Sequence, residues 1–285
     1  MNYHCQKLKS GLYLVATPLG SARDITLRAL DVLCSCDALA AEDTRSMRKL
    51  LNIHNIPLKD RPILSYNDFN GDRVRPTIMN WLNSNMAVAY ASDAGMPLIA
   101  DPGYQLSKQA AEAGFYVTAV PGASACITAL SLSGLPTDRF FFEGFLPVSK
   151  EKRRQKLREL SSIPSTLIFY ESPKRLIKMF EDLIAIMGEN RRAVIARELT
   201  KKFEQIISGT LGELHALILK KPIKGELVVL LDRPLTTGLQ DLDVKAELRI
   251  ALSEMTLKDA SDFVASAHGL SKRYVYNLAL SMREN

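Results

Sequence analysis

From Leu12 to Asp232, short apolar runs of strand length alternate with segments of helical periodicity, and this alternation restricts the fold more than any other feature. Each strand buries apolar side chains that a neighbouring helix must cover, so such a chain folds into layered α/β units. Leu12–Ala16, Ala38–Ala41, Ile63–Tyr66, Met86–Ala91 and Phe115–Val120 read as strands. Helices fall between them. Asp24 is placed to cap one that carries Leu27, Leu30 and Leu33; Met47, Leu50 and Leu51 mark a second; a third surrounds Trp81; Gly114 ends a fourth as a C′ glycine. Beyond Gly134 the pattern restarts with strands at Phe140–Glu143, Thr166–Glu171, Ala193–Glu198, Glu204–Ser208 and Glu226–Asp232. The helices of this half are expected over 149–161, from Pro173 to about Met187, and over Leu211–Lys220. The expectation is two α/β domains, 1–120 and 121–234, meeting near residues 119–122, and then a Thr/Gly-containing linker from Pro234 to about Leu242.

Two loops stand out. Ser92-Asp93-Ala94-Gly95-Met96-Pro97-Leu98-Ile99-Ala100-Asp101-Pro102-Gly103 holds two Gly, two Pro and two Asp, and can continue neither a strand nor a helix. It lies at a strand's C-terminal end, where open α/β sheets bind ligands. One unit later, Pro121-Gly122-Ala123-Ser124-Ala125 opens an apolar helix with small residues, so a ligand can approach free N–H groups. The same residues also suit plain strand-to-helix connections, capped by Asp101 and by Ser124. Two such loops in consecutive units favour a shared site.

The tail, 243–285, reads as a helical module with helix-turn-helix rhythm: Leu257–Ala265, Gly269 at the turn, then Ser271, Lys272 and Arg273 opening the last helix. The chain carries a net charge of +6, so a polyanionic partner is expected. Its cations are clumped at Arg45/Arg48/Lys49, at 150–158 with Lys152, Arg153 and Arg154, at Lys201/Lys202 and at Lys272/Arg273. A solvated helix face explains the 150–158 run as well as RNA does. No apolar stretch approaches the roughly 18 residues of a membrane helix, and Leu12–Ala16 is too short for a signal core, so a cytoplasmic location without membrane contact is expected. Cys5, Cys34, Cys36 and Cys126 make no disulfide framework and are expected as free thiols. His4, His54, His215 and His268 are scattered and suggest no metal site.

The motifs together resemble the ribosomal RNA small subunit methyltransferase I family. They are Leu14-Val15-Ala16-Thr17-Pro18-Leu19-Gly20, Ala41-Glu42-Asp43-Thr44-Arg45, the 92–103 and 121–125 loops, and Ser133-Gly134-Leu135-Pro136-Thr137-Asp138-Arg139. Phe169-Tyr170-Glu171-Ser172-Pro173, Ala196-Arg197-Glu198-Leu199-Thr200-Lys201 and Lys224-Gly225-Glu226 continue the match over residues 11–232, and the tail is similar to the family's C-terminal helical module. The resemblance implies a tetrapyrrole-methylase fold with S-adenosylmethionine in the cleft between the two domains. It also implies methylation of a cytidine ribose 2′-oxygen in the decoding region of 16S rRNA, on the small ribosomal subunit, by a homodimer. Carried over by motif, the donor site comprises Pro18, Ser92, Asp93, Met96, Ser124 and Ala125, with Tyr170, Glu171 and Leu199 aligned by position. RNA contacts are expected at Arg45, Lys152, Arg153, Arg154, Lys272 and Arg273. The chain departs from the family pattern at Ser21, Ser46-Met47, Asn67-Asp68, Met96 and Lys174.

A ribose hydroxyl must lose its proton during attack on a methyl group, so a base is needed. Glu42, Asp43, Asp101 and Lys201 are unranked candidates. Three other readings stay open. One is a methyltransferase of this fold acting on a tetrapyrrole-like small molecule. Another is a hydrolase built on Ser124, which needs a later acid and His215 or His268. The third is a DNA-binding regulator organised around the tail.

Overall fold

A computed structural model describes residues 3–234, 238–268 and 270–283, with side chains described except at 238–243 and 283. The chain divides into two compact units, Met1–Arg233 and Pro234–Asn285.

The first unit contains two sheets. The strands of the first are β1 (Gly11–Val15), β2 (Ala38–Ala41), β3 (Ile63–Ser65), β4 (Ala87–Ala91) and β5 (Val117–Val120), in the order β3-β2-β4-β1-β5. All its pairings are parallel. The helices connecting these strands are α1 (Leu27–Ser35), α2 (Thr44–Ile53), α3 (Gly71–Asn83) and α4 (Tyr104–Glu112). Leu12, Val15, Leu39, Val88 and Tyr90 are fully buried, as expected for strands covered by helices on both faces. The α1 helix is capped by Thr26, whose hydroxyl accepts the Ala29 N–H at 3.1 Å, and not by Asp24, which lies in a 3-10 turn just before it. Cys5 and Cys34 pair as a disulfide with a Cα–Cα distance of 5.5 Å, which corrects the expectation of four free thiols; Cys36 and Cys126 are free and buried.

The second sheet holds β6 (Phe140–Phe145), β7 (Thr166–Glu171), β8 (Arg192–Arg197), β9 (Gln205–Thr210) and β10 (Leu227–Leu231), in the order β6-β7-β10-β8-β9. It is mixed: β6 and β7 are parallel, and the remaining pairings are antiparallel. One face is covered by α6 (Lys150–Ser161), α7 (Pro173–Met187) and α8 (Leu211–Lys220). Pro173 starts α7, where its missing N–H is harmless, and a Thr210–Glu213 capping box starts α8. The other face packs on α5 (Ala125–Ser133), through Cys126, Ala129 and Leu130 against Ile168, Val194, Ala196, Val228 and Leu230. The chain therefore leaves the first sheet after β5 and enters the core of the second with α5, so residues 121–124 cross between two layers.

The second unit is helical: α9 (Gly238–Glu254), α10 (Leu257–His268) and α11 (Lys272–Arg283). Its core is Val244, Leu248, Ala251, Ala260, Val264, Ala265, Val275 and Ala279. α9 begins inside the segment expected to be a linker. Gly269, the expected turn glycine, lies outside the described residues. Among the described residues no helix is long and apolar enough to cross a membrane.

Candidate active site

Between the two sheets the C-terminal ends of β1 and β4 face α5, the end of β7 and the start of β10. Two loops there are tied together. The Thr17 N–H donates to the Gly95 carbonyl and the Gly95 N–H to the Thr17 carbonyl, both at 3.0 Å. Gly95 has φ +84°, a left-handed conformation suited to glycine. A cavity of about 370 Å³ opens against these loops, within the 300–1,000 Å³ typical of small-molecule sites.

Met96, Asp101, Ser124, Ala125, Tyr170, Glu171 and Leu199 all line this cavity, so residues named from four separate motifs converge. Pro18, Ser92, Asp93 and Asp43 do not. They line a neighbouring cavity of about 240 Å³ with Ser46, Met47 and Lys49, and Leu19 borders both spaces. The residues expected at one site thus line two adjoining cavities. Asp93 faces α2, where its carboxylate meets the Asp43 N–H and the Ser46 hydroxyl. Glu42 lines neither cavity; it is half-buried and accepts the Asp93 N–H at 3.2 Å.

Tyr170 is fixed by the Cys126 N–H, which donates to its hydroxyl at 3.1 Å, and by edge contacts to Phe142 and Phe145. Burial raises its phenol, so it stays protonated. Glu171 is buried. One carboxylate oxygen, Oε1, accepts the Ser172 N–H at 2.7 Å and pairs with Arg175 at 3.2 Å, whereas Oε2 is buried with no hydrogen-bond partner in the protein. Burial raises its pKa. Glu171 lines the cavity as a residue, but its unpartnered oxygen is closed off from solvent. Ser124 starts α5 without a side-chain cap; its hydroxyl meets the Cys126 thiol at 3.4 Å. Among the described residues no histidine lines the cavity, which removes the support for a Ser124 hydrolase.

Asp101 does not cap α4, whose first turn follows Gly103 instead. Burial and the charge of Glu42 push Asp101 up to about 6. Asp43 is clamped by the Arg45 guanidinium, with contacts of 2.6–3.1 Å, and falls to about 2. Lys201 is held between Glu226 at 2.8 Å and Glu198 at 3.1 Å; burial would lower its pKa, but the two carboxylates raise it.

Sequence reasoning misses Leu19, Ile99, Phe145 and the Gly225–Val228 wall. Lys224-Gly225-Glu226 signals the last of these as a motif, without a role. Gly225 has φ +99° and lies against Glu198, where a Cβ would approach to 2.6 Å. Nothing in the pattern marks Phe145.

Among the expected RNA contacts, Lys152, Lys272 and Arg273 are exposed, although Lys272 pairs with Asp262 at 2.9 Å. Arg45 is exposed and engaged by Asp43. Arg153 is corrected: it is buried, its guanidinium pairs with Asp182 at 2.6 Å and donates to the Val148 carbonyl, and it offers nothing to a ligand. Arg154 shares Asp182 and stays partly exposed.

Residues 11–215 match the family described as Tetrapyrrole (Corrin/Porphyrin) Methylases, and 239–283 match the RsmI C-terminal HTH domain. Ribosomal RNA small subunit methyltransferase I of Vibrio cholerae is 44% identical over 273 residues, 94% of each chain. The protein of that name from Escherichia coli O157:H7 is 42% identical over 276 residues, 95% of each. The chain belongs to the ribosomal RNA small subunit methyltransferase I family. Uroporphyrin-III C-methyl transferase from Thermus thermophilus, complexed with S-adenyl homocysteine, has the same fold at 18% identity, with a TM-score of 0.56 over 78% of this chain and 97% of that one. The tetrapyrrole-methylase fold of two sheets plus a helical module, expected from the motifs, is thereby established for this family member.

Proposed function

We propose that the larger cavity holds S-adenosylmethionine and that the chain methylates the ribose 2′-oxygen of a cytidine in the decoding region of 16S rRNA, acting as a cytoplasmic homodimer on the small ribosomal subunit. The observation that carries this reading is the convergence of Met96, Ser124, Ala125, Tyr170, Glu171 and Leu199 on one cavity. It is supported by the names of relatives more than 40% identical over nearly the whole chain and by the S-adenyl homocysteine bound to a protein of the same fold.

The residues fit such a donor. Leu19, Met96, Ala125 and Leu199 offer apolar surface to its flat and aliphatic parts. When bound, the donor supplies a methyl group already activated on a sulfonium, so the protein's work is to orient it against the acceptor hydroxyl and to exclude water. The Thr17–Gly95 pairing and the Cys126–Tyr170 bond tie neighbouring wall segments together. Exposed Lys152, partly exposed Arg154, and Lys272 and Arg273 in the helical module are the cations for phosphate contacts.

The test is to incubate the protein with radiolabelled S-adenosylmethionine and either naked 16S rRNA or assembled small subunits, then locate the label by nuclease digestion. Label on a cytidine ribose is expected. Label on a base, or on neither RNA, rejects the reading.

A further inference from the structure

Among the four groups named as candidates for the acceptor's proton, three are held by other partners. Asp43 is clamped by Arg45 and has little affinity for a proton. Lys201 stays protonated between Glu198 and Glu226. Glu42 accepts the Asp93 N–H and lines neither cavity. Asp101 alone of the four lines the larger cavity, and among the described residues it has no ion pair with a cation.

The loop that holds Asp101 is strained in a directed way. Leu98 and Ala100 carry φ of +71° and +60°, a region that side-chain-bearing residues seldom enter. Gly103 has φ +119° and lies so close to the Tyr90 ring that a Cβ would strike it. The Tyr90 hydroxyl donates to the Pro102 carbonyl at 2.7 Å and pins the loop from below. Strain of this kind persists where the surroundings over-determine it, as at sites that must aim a group. Asp101 is the carboxylate that this loop brings to the cavity wall.

We infer that Asp101 is the general base of the methyl transfer. The inference rests on the methyl-transfer reading above. The acceptor O–H bond breaks as its proton passes to the Asp101 carboxylate. The oxygen's electron pair forms the bond to the methyl carbon, and the carbon–sulfur bond breaks with its pair left on sulfur, which becomes a neutral thioether. The proton then leaves Asp101 for water. The groups that face Asp101 are the carboxylates of Glu42, Asp93 and Asp68, the Ser92 hydroxyl, and the phenols of Tyr90 and Tyr170. With burial and neighbouring carboxylates holding it at about 6, Asp101 is ionised at neutral pH and still takes up a proton readily, as a base working near pH 7 requires.

Asp101→Asn, Asp101→Glu and Glu42→Gln are compared with wild type, with S-adenosylmethionine and the small subunit as substrates. Asp101→Asn should lower kcat by about 100-fold or more and abolish the acid limb of the kcat/KM profile, which for wild type falls near pH 6. It should leave KM for both substrates and the calorimetric affinity for S-adenosylhomocysteine near wild type. Asp101→Glu should recover part of the rate, and Glu42→Gln should move the limb to lower pH. A readout independent of turnover is carbon-detected NMR of the side-chain carboxyls. The resonance missing from Asp101→Asn should titrate near pH 6 in wild type and lower in Glu42→Gln. An Asp101→Asn protein with wild-type kcat and its acid limb intact overturns the assignment, as does a loss confined to KM or to cofactor affinity. A wild type that transfers no methyl group to the subunit overturns the methyl-transfer reading itself, and the assignment with it.

Discussion

The main-chain N–H of Cys126, at the start of α5, donates to the hydroxyl of Tyr170, at the end of β7, across 3.1 Å. The bond joins the helix that enters the second sheet to the strand end that forms the cavity wall. Tyr170→Phe keeps the ring and its contacts to Phe142 and Phe145 but leaves a helix N-terminal N–H without its partner. It should cost about 1 kcal/mol in chemical denaturation, the ordinary scale for one such bond. Affinity for S-adenosylhomocysteine should fall with it, because the mouth of α5 is no longer fixed. Unchanged stability together with unchanged affinity would show that the bond contributes nothing to the site.

The two cavities separate what a single motif-based site would join. Ala125→Leu adds bulk to the wall of the larger cavity and should reduce S-adenosylhomocysteine binding about tenfold or more, equivalent to about 1.4 kcal/mol. Asp93→Ala empties a position in the smaller cavity and removes an acceptor from the α2 N-terminus. Its main effect should be a modest loss of stability, about 1 kcal/mol, with donor affinity little changed. Calorimetry on both variants decides. If Asp93→Ala is the one that loses the ligand, the donor sits in the smaller cavity.

Asp101 is expected to hold its pKa at a cost in stability. Its folded pKa, about 6, lies above the ordinary carboxylate value, so its stabilising contribution is complete below about pH 4 and is lost as pH rises through 6. Asp101→Asn, which cannot ionise, should therefore raise the melting temperature at pH 8 by an amount corresponding to about 1–2 kcal/mol and do little at pH 4. A variant destabilised equally at both pH values would mean that the side chain is structural.

Asp182 carries the opposite sign. Burial alone would raise its carboxyl, but hydrogen bonds from Arg154 and Arg153 outweigh burial and hold it below the usual range. Its contribution is present at neutral pH and lost as pH falls through that depressed pKa. Asp182→Asn leaves Arg153, buried to 4% exposure, without a counter-charge and should cost about 3–5 kcal/mol at pH 7, less at low pH. Thermal denaturation across pH measures it. Equal loss at every pH would place the effect in packing.

Much of this is legible in the chain. Pro173 and the Thr210/Glu213 pair start their helices where the sequence puts them, because each start is decided within one turn. The motif loops converge on a cavity because all follow strand ends of the two sheets. What sequence reasoning misses is non-local. Charge alone cannot tell Arg153 from Lys152; an aspartate 29 residues away decides which cation is buried. Both Asp24 and Thr26 suit an N-cap by type, and backbone geometry selects Thr26. Cys5 and Cys34 meet only because the N-terminal segment lies along α1, as the bond from the His4 N–H to Asp31 shows. The split of one expected site into two cavities depends on Asp93 turning toward α2, which no spacing rule records.

The helical module makes the last prediction. Every described residue that lines either cavity lies between Thr17 and Val228, inside the first unit, and the module has a core of its own from Val244 to Ala279. Removing residues 234–285 should therefore leave S-adenosylhomocysteine affinity close to wild type. Binding to the small subunit should weaken, because exposed Arg273 and Lys272 go with the module. Each cation taken away from an RNA phosphate reduces the dependence of log affinity on log salt by a little less than one, so the truncated protein should show a shallower salt slope. Titrations of labelled subunits at several salt concentrations measure both quantities. An unchanged slope in a folded truncation would remove the module from the RNA interface, and a lost donor site would show that the first unit is incomplete without it.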